Sequence, residues 1–344
     1  MDHGLKQAAA DLLSDSDVVD LHVDGFIPHR LFGYDLTIRH SGSYTHGRFV
    51  GHLDFPRAVE YGLTGAMWSI TTNPLPRPRD RWRSFLENVQ GLQREVERSD
   101  GMVQIATNWS DYMKARESGA HVCLPAIQGA NSLEGAPGGC GEIPNRFITR
   151  ATLVHLTNSV YGTTSSPLSL WRSKSGLTWQ GRDLVRDLDR HRIFVDLAHI
   201  NKEGFWDAVE EHDPSLPLIV THTGVEGVRP HWRNLDDDQI RAVADSGGTI
   251  GIIFEPNFLR RATGPKDGAM VLEHLAHIIH VVGEDFVSLG SDYDGMISPP
   301  EGLRFEPNYG YLVRGMLERN WSVERIQKIL GANFLRAFKA MRPD

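Results

Sequence analysis

Short apolar runs recur along the chain, and each is followed by a polar or glycine-containing break and then by an amphipathic stretch. The runs are nearly continuous rather than alternating, which is typical of parallel strands buried on both faces. The stretches between them, such as residues 182–191, have the periodicity of amphipathic helices. We assign eight runs to strands: residues 18–24, 64–71, 121–128, 151–157, 192–199, 217–222, 248–254 and 285–294.

Eight strand–helix units predict an α/β fold, namely a (β/α)8 barrel of the TIM type, which commonly has about 250 residues or more. The chain has 344 residues and no linker divides it, so we expect a single barrel domain over residues 1–344. A short helix is predicted at 1–15, and closing helices separated by a glycine break are predicted at 320–342. A ninth run, at 102–108, is one more than an eight-stranded barrel needs, and we interpret it as a short extra element.

Composition and charge narrow the class of protein. Apolar residues make up 40% of the chain and charged residues 23%, which is typical of a soluble globular protein. The net charge of −8 gives no basic surface for nucleic acid or anionic membrane. Neither end of the sequence has a hydrophobic leader or tail, and the two cysteines suit a reducing compartment. We therefore expect a cytoplasmic protein without nucleic-acid or membrane partners.

Polar side chains lie at the carboxyl ends of the predicted strands. In a barrel these ends meet on one face, and that face carries catalysis. His22 and Asp24 are two residues apart in a strand, so both can point toward the same ion. Imidazole and carboxylate ligands suit Zn²⁺ or a similar first-row metal. The other polar residues at or near strand ends are Gln128, His155, His199, His222, Asp292 and Asp294.

The alternative to a metal site is that these histidines are ordinary packed or surface residues. A single histidine at a strand end is more often a packed or surface residue than a ligand, and this chain has 16 histidines. The H-x-D spacing alone is a weak signal. Polar positions in several separate runs, all at the same end, favour a metal site over coincidence. Six histidines are assigned to the surface or to loops: His29, His40, His46, His191, His212 and His231.

Motifs along the chain resemble the membrane (renal) dipeptidase family, peptidase family M19, a branch of the amidohydrolase superfamily of metal-dependent barrels. The matching segments occur in the family's order from about residue 18 to residue 340. They are DLHVD (20–24), GHLDFPRAVEYGLTGAMWS (51–69), LVHLTNS (153–159), GLTWQGRDLVRDLDRHRIFVDLAH (176–199), THTGVEGVRPHWRNLDDDQI (221–240), LGSDYDG (289–295), PEGL (300–303) and GANFLRAF (331–338).

The resemblance implies a role for each metal ligand and catalytic group. His22 and Asp24 would bind one zinc ion, and His199 and His222 would bind a second. Asp292 would handle the proton of a bridging water.

The resemblance also implies substrate contacts. His155 would hydrogen-bond the tetrahedral intermediate, and Arg233 would bind the C-terminal carboxylate of the substrate, because a planar guanidinium pairs bidentately with a carboxylate. We assign Trp68, Trp171 and Trp179 to packing, although Trp68 also lies near the predicted mouth of the barrel. Three further candidates for the substrate pocket are Asn131, Trp68 and Tyr161.

One position departs from the family pattern. This chain has QGAN at residues 128–131, where members of the family usually have EGGH, so Gln128 stands in place of the glutamate that bridges two metals. A glutamine offers one neutral carbonyl oxygen and an NH₂ group that repels a cation. Two dications about 3.5–4 Å apart would therefore lack a compensating charge. We expect one tightly bound metal, or two with the second weakly bound.

Three explanations for Gln128 stay open: an introduced change that inactivates the enzyme, a natural one-metal hydrolase, or a relative that has lost hydrolysis. We expect a metal-dependent hydrolase that cleaves a dipeptide or a similar small amide with a free carboxylate. It would use one or two Zn²⁺ ions, or another divalent metal, and could form a homodimer. The alternative is a divergent non-peptidase, either a biosynthetic enzyme or a silent binding protein, in which Gln128 and Asn131 hydrogen-bond a ligand.

Overall fold

The computed structural model describes residues 2–42, 44–167 and 175–344. Within these residues nine parallel strands form one sheet, and eight of them close into a barrel surrounded by helices. The predicted (β/α)8 architecture is therefore confirmed. In chain order the strands are β1 (Val19–Val23), β2 (Gly65–Thr71), β3 (Val103–Ile105), β4 (His121–Gln128), β5 (Arg150–Thr152), β6 (Phe194–Asp196), β7 (Ile219–Thr223), β8 (Thr249–Ile252) and β9 (Val287–Leu289).

One strand, β3, lies outside the barrel ring. It corresponds to the extra apolar run at residues 102–108 and pairs with the start of β4, where Val103 lies opposite His121. The second half of β4 pairs with β5, and its other edge pairs with β2. The order around the barrel is therefore β1, β2, β4, β5, β6, β7, β8 and β9, and the extra run is a short additional element, as the sequence predicts.

Several strands, among them β5 and β9, are shorter than their apolar runs because the chain leaves the sheet before the polar residues. β5 ends at Thr152, although its run continues to residue 157, and β9 ends at Leu289, although its run continues to residue 294. Beyond β9, Asp292 and Asp294 have left-handed backbone angles, with φ of 63° and 67°. A hydrophobic run does not distinguish a buried strand from buried irregular chain.

Helices connect the strands, and several begin with a side-chain cap. In the helix after β7, for example, Asp236 and Gln239 form a reciprocal capping box. In the described residues the α-helices are α1 (Asp2–Ser14), α2 (Phe26–Phe32), α3 (Phe55–Glu60), α4 (Pro78–Arg98), α5 (Trp109–Glu117), α6 (Trp179–Arg190), α7 (Lys202–Glu211), α8 (Asp237–Asp245), α9 (Pro256–Leu259), α10 (Ala269–Val282), α11 (Tyr309–Glu318), α12 (Val323–Gln327) and α13 (Asn333–Met341).

The two ends of the chain contain the helices that the sequence predicts. α1 is the N-terminal helix, and the closing segment consists of α12, a π-helical turn at Lys328–Ala332 and α13. Ser322 caps α12 through its hydroxyl, as its position suggests. The expected glycine break is wrong, because Gly331 lies within the π-helical turn and the chain stays helical through it.

The interior of the barrel is apolar at its amino-terminal end. Val122, Leu124 and Ala126 of β4 alternate along the strand, so they share one face, and they pack in a cluster with Phe334 of α13. Phe334 is fully buried and also meets Phe194 at the start of β6, with ring centroids 6.1 Å apart. α13 therefore closes this end of the barrel, and access to the interior is left to the opposite, polar end.

Two other features of the described chain bear on the sequence assignments. Trp171 lies outside the described residues. Trp179 is 71% exposed at the start of α6, so its assignment to packing is wrong. Among the described helices, none is long and apolar enough to cross a membrane.

Candidate metal centre

The polar residues at the carboxyl ends of β1, β7 and β9 meet inside the barrel. Nε2 of His22 lies 3.4 Å from Oδ1 of Asp292 and 3.5 Å from Oδ2 of Asp24. The ring of His222 stacks on that of His22 with centroids 3.8 Å apart. Ligand atoms of His22, His222 and Asp292 all lie within 4.8 Å of one another. All four side chains are buried, so charges interact here more strongly than in water.

His199 and His222 direct the same ring nitrogen toward each other. Their Nε2 atoms are 2.8 Å apart, and the two rings meet edge to face. Burial lowers the pKa of both imidazoles well below the usual value of 6.5, and the nearby Arg233 acts in the same direction. Both rings are therefore neutral at physiological pH, which is the form that binds a metal.

His222 also has the outer contacts of a metal-binding histidine. Its Nδ1 lies 2.8 Å from Oγ1 of Thr221, and that hydroxyl donates its own proton to Oδ2 of Asp196 at 2.6 Å. The hydroxyl oxygen is thus free to accept from Nδ1–H, which leaves a lone pair on Nε2. A metal-binding histidine usually donates its other N–H in this way, because the contact fixes the tautomer and the ring orientation.

Two residues of the cluster have strained backbone conformations. His199 and Asp292 have φ of 69° and 63°, a left-handed region in which residues other than glycine are uncommon. The strain costs roughly 1–3 kcal/mol for each residue and persists only where the surroundings enforce it. Here the backbone N–H of Asp292 donates to the carbonyl of His22 at 3.0 Å, and Ser165 N–H donates to the carbonyl of His199 at 2.7 Å.

Gln128 lies among these residues at the end of β4. In the orientation of its carboxamide that matches donors to acceptors, Nε2 donates to both oxygens of Asp24 at 2.8 and 3.0 Å. Oε1 then accepts from Nε2 of His22 and from Nε2 of His155, both at 3.2 Å. The opposite orientation would turn Oε1 away from these donors and place Nε2 3.3 Å from Nε2 of His199. We prefer the first orientation because it leaves no acceptor facing the Asp24 carboxylate.

The two buried carboxyl groups have pKa values that move in opposite directions. Burial and the neighbouring charge of Asp24 raise the pKa of Asp292 well above its usual range. Burial also acts to raise the pKa of Asp24, but His22 and the hydroxyl of Thr71 outweigh it, and the pKa of Asp24 is lowered. Of this pair, Asp292 is thus the carboxyl group that can hold a proton, a property typical of acid–base residues.

His155 and Arg233 flank the cluster. The ring of His155 meets that of His199 edge to face at 4.6 Å, and desolvation lowers the pKa of His155 to about 4. Arg233 is buried and donates from Nη2 to the carbonyl of His222 at 2.6 Å. Burial lowers the pKa of Arg233 to about 10, which still leaves it charged, and the neighbouring Asp292 opposes that shift.

Arg150 is a residue of the site that the sequence reasoning misses. It is fully buried in β5, and its Nη2 lies 2.7 Å from Nδ1 of His22 and donates to Oγ of Ser69 at 2.8 Å. Its Nη1 donates to the carbonyl of Ile127 at 3.1 Å and lies 3.3 Å from Oδ2 of Asp196. The sequence does contain a signal for this residue. Arg150 stands immediately before a buried apolar run, where a charged residue is rare unless it is paired.

The three candidates for the substrate pocket lie in different places. Asn131 lies near the cluster, on the same side of Gly129 as His155. A Cβ atom built on Gly129 would lie 2.8 Å from Oδ1 of Asn131 and 3.4 Å from Cβ of His155. Trp68 does not line the mouth: it is fully buried on the outer face of β2, where it packs against Phe55 and donates to His121 at 3.0 Å.

Tyr161 does not contact the cluster either. It lines a separate surface cavity of about 370 Å³ together with Trp179 and Gly139. Burial raises the pKa of Tyr161, and the negative charge of Glu134 acts in the same direction. The structure therefore brings neither Trp68 nor Tyr161 to the cluster, and Trp68 is a packing residue, as the first of its two assignments expects.

The donors around His222 fit a divalent metal. Two neutral imidazole nitrogens, from His199 and His222, face each other near the carboxyl group of Asp292, and nitrogen and oxygen ligands of this kind suit zinc and similar ions. The donors around Asp24 fit less well, because Gln128 directs an NH₂ group toward the carboxylate that would have to bind the ion.

Comparisons with known proteins point to one family. The family model described as membrane dipeptidase (peptidase family M19) matches residues 6–343. Dipeptidase tcpJ of Claviceps purpurea (strain 20.1) is 29% identical over 301 residues, which cover 84% of this chain and 69% of that protein. A Klebsiella pneumoniae protein, described as an uncharacterized protein in the pqqA 5' region, is 29% identical over 267 residues, which cover 72% of this chain and 92% of that protein.

Solved structures have the same fold. The dipeptidase AC, described as a metallo peptidase of family M19, superposes with a TM-score of 0.80 at 25% identity and covers 96% of this chain and 99% of its own. The probable dipeptidase PvdM from Pseudomonas aeruginosa has a TM-score of 0.84 at 16% identity, with 99% of each chain covered. Since the family model spans almost all of a barrel whose strand ends carry the His–Asp cluster, the chain belongs to the membrane dipeptidase family, peptidase family M19.

Proposed function

We propose that the protein is a zinc-dependent hydrolase that cleaves the amide bond of a dipeptide, or of a similar small amide with a free carboxylate. The observation that carries this proposal is the buried cluster in which His199 and His222 face each other beside the carboxyl group of Asp292. The name of the relative tcpJ supports it. So does a metallo peptidase structure from Rhodobacter sphaeroides liganded with a phosphinate mimic of the dipeptide L-Ala-D-Ala, which is similar in fold with a TM-score of 0.78 at 24% identity.

The metal would be held by His199 and His222, with Asp292 beside them. When bound, a divalent ion of this kind polarises a carbonyl oxygen and lowers the pKa of water to about 7. The outer contact of His222 with Thr221 supports this assignment, because it keeps Nε2 of His222 deprotonated.

The chain's own groups would move the proton and hold the substrate. Asp292 accepts a proton, for which its raised pKa makes it suited, and passes it to the leaving amine. His155, neutral because desolvation lowers its pKa to about 4, donates from Nε2–H to the developing oxyanion. Arg233 pairs with the free carboxylate of the substrate, since a guanidinium presents two parallel donors.

The metal site would differ from a symmetric two-metal site. Gln128 adds no charge at the position where the family usually has a glutamate, so the repulsion between two dications would be poorly offset. We propose that one ion binds tightly and that a second binds weakly or not at all.

A second function is favoured by the hydrogen bonds of Gln128. Its amide connects Asp24 with His22 and His155 without any ion, which suits a divergent non-peptidase or a binding protein that uses these groups to hold a ligand. On this alternative the barrel would bind a small acid or amide without cleaving a peptide bond.

The test is turnover of a panel of L-L and L-D dipeptides with added zinc. The hydrolase proposal predicts turnover that a chelator abolishes and that zinc restores. Asp292→Asn should lower the rate by about 10²–10⁴-fold, because it removes the acid–base group. Asp238→Asn is the matched control, since Asp238 is 81% exposed on α8 and should keep the full rate.

Silence across the panel would contradict hydrolysis of dipeptides. If a small acid or amide then raised the melting temperature of the same preparation, the binding alternative would replace it. Full activity of the Asp292→Asn protein would exclude the acid–base role while leaving the activity itself in place.

A further inference from the structure

We propose that His22 and Asp24, at the end of β1, bind no metal ion. The guanidinium of Arg150 and the amide of Gln128 take the place of that ion and hold the two side chains by hydrogen bonds. The metal position at His199 and His222 would then be the one that remains. This inference rests on the proposed metal-dependent function. It concerns residues of this chain rather than the substrate, so the two can be tested separately.

The direction of the Arg150 contact carries the first step. Nη2 of Arg150 lies 2.7 Å from Nδ1 of His22. A guanidinium has donors only and keeps its charge, so Nδ1 of His22 must be the acceptor. A neutral imidazole with an acceptor at Nδ1 carries its proton on Nε2. Nε2 is the atom of His22 that faces Asp24 and Asp292, and with a proton on it the ring has no lone pair to give to a metal.

The amide of Gln128 uses the remaining groups. Its Oε1 accepts from Nε2 of His22 at 3.2 Å, and its Nε2 donates to both oxygens of Asp24 at 2.8 and 3.0 Å. The hydroxyl of Thr71 donates to Oδ1 of Asp24 at 2.8 Å. Hydrogen bonds therefore run without interruption from Arg150 through His22 and Gln128 to Asp24. Each polar group that a metal would need at this position already has a partner.

His222 provides an internal comparison. Its Nδ1 faces a hydroxyl that can accept a proton, because Thr221 gives its own proton to Asp196. The Nδ1 of His22 faces a cation that cannot accept one. The two histidines are stacked at 3.8 Å in the same cluster, yet their outer contacts fix opposite tautomers. Closeness alone would group His22 with His222 and Asp292 around one ion, but the donor directions separate them.

Charge favours the same arrangement. Arg150 is fully buried and is anchored by Asp196, with Nη1 to Oδ2 at 3.3 Å, and by the carbonyl of Ile127. A dication on His22 would face this guanidinium across a single imidazole ring in a poorly screened interior. Gln128 supplies no negative charge to offset that repulsion. The positive charge of Arg150 instead compensates the nearby carboxylate of Asp24.

The experiment is a double-mutant cycle read by metal content per chain, measured after reconstitution with zinc and removal of free ion. The four proteins are the wild type, Arg150→Met, Gln128→Glu and the double variant. We expect one equivalent of zinc in the wild type and two in the double variant. Arg150→Lys keeps the charge and should stay at one. Two equivalents in the wild type, or equal content in the wild type and the double variant, would overturn the inference.

We expect the Arg150 variants to fold, because the buried carboxylate next to Arg150 keeps other hydrogen-bond donors. Without Arg150, the carboxylate of Asp196 still accepts from the N–H groups of Ala198 and Thr221, both at 3.0 Å, and from the hydroxyl of Thr221. Should a variant nevertheless be unfolded by circular dichroism, the wild type loaded with Mn²⁺ decides the question alone. Two ions about 3.5–4 Å apart would give an exchange-coupled paramagnetic spectrum and refute the inference, whereas a single-ion spectrum would support it.

These readings separate the inference from the proposed hydrolase function. One equivalent of zinc with no turnover of dipeptides would support the role of Arg150 and contradict hydrolysis. No zinc in the wild type and one equivalent in the double variant would also support the closure by Arg150, while removing the metal-dependent reaction. Turnover together with two equivalents of zinc in the wild type would support hydrolysis and contradict the role of Arg150.

Discussion

Arg233 illustrates how the shape of one side chain limits what the site can bind. Its guanidinium is buried beside the cluster, where Nη2 already donates to the carbonyl of His222 at 2.6 Å. Within the described chain its Nε has no hydrogen-bond partner. A planar group with several donors in a fixed plane suits a carboxylate, whereas a lysine ammonium offers a single charged point. At this position the exact side chain should therefore matter more than its charge.

We expect Arg233→Lys to raise the KM for a dipeptide substrate by about 10–100-fold, because one charge-assisted hydrogen bond contributes roughly 1.5–3 kcal/mol. The measurement is steady-state kinetics on a dipeptide that the wild type cleaves. The matched control is Arg229→Lys in the same loop, which should keep the wild-type KM. Equal KM values for the wild type and Arg233→Lys would contradict the carboxylate-binding role. The metal content of the variant should also be measured, because Arg233 holds the backbone of His222.

At the residue scale, the sequence predicts which polar side chains lie at strand ends but not all of their directions. His22, His222 and Asp292 could be placed together because the carboxyl ends of barrel strands meet. Trp68 points away from the site, because its neighbour Ser69 faces His22 and adjacent strand residues face opposite sides. Arg150 could not be assigned, because its partners come from distant strands.

At the scale of elements, α13 is the part of the structure on which closure of the barrel depends. Phe334 is fully buried between Phe194 and Phe338, with centroid distances of 6.1 and 5.7 Å. Phe334→Ala should lower the free energy of unfolding by about 3–5 kcal/mol, because it leaves a cavity as well as removing buried apolar area. Urea unfolding followed by circular dichroism measures the loss.

The control for this substitution is Phe32→Ala, since Phe32 is 60% exposed at the end of α2. It should change the free energy of unfolding by no more than about 0.5 kcal/mol. If both substitutions had the same small effect, α13 would not be the element that seals the amino-terminal end.

The lengths of elements show where sequence reasoning stops. β4 matches its predicted run, residues 121–128, because it is paired along its length with β2. β5 covers only Arg150–Thr152, although the chain remains buried through Val154. Hydrophobicity reports burial, and burial continues where strand pairing has ended. The barrel could thus be predicted from the runs, whereas the points at which the chain leaves the sheet depend on tertiary contacts.

At the scale of the whole molecule, buried neutral histidines link stability to pH. His121 and His274 both lie outside the metal centre, and burial lowers the pKa of each from 6.5 to about 4. The ring of His121 is held as a neutral group, because Nε2 accepts from the indole N–H of Trp68 at 3.0 Å while Nδ1 faces the carbonyl of Leu63 at 2.7 Å. Protonation of Nε2 would set two N–H groups against each other.

Acid should therefore destabilise the protein over a defined range. Below pH 6.5 the unfolded chain binds a proton at His121 that the folded chain does not bind until about pH 4, so the free energy of unfolding falls as the pH falls between these values. The contribution of His121 amounts to about 3 kcal/mol. His121→Gln cannot titrate, so its difference in stability from the wild type should shrink by about that amount between pH 7 and pH 4. Urea unfolding with a chelator present measures this without metal release, and a pH-independent difference would show that His121 does not contribute to acid unfolding.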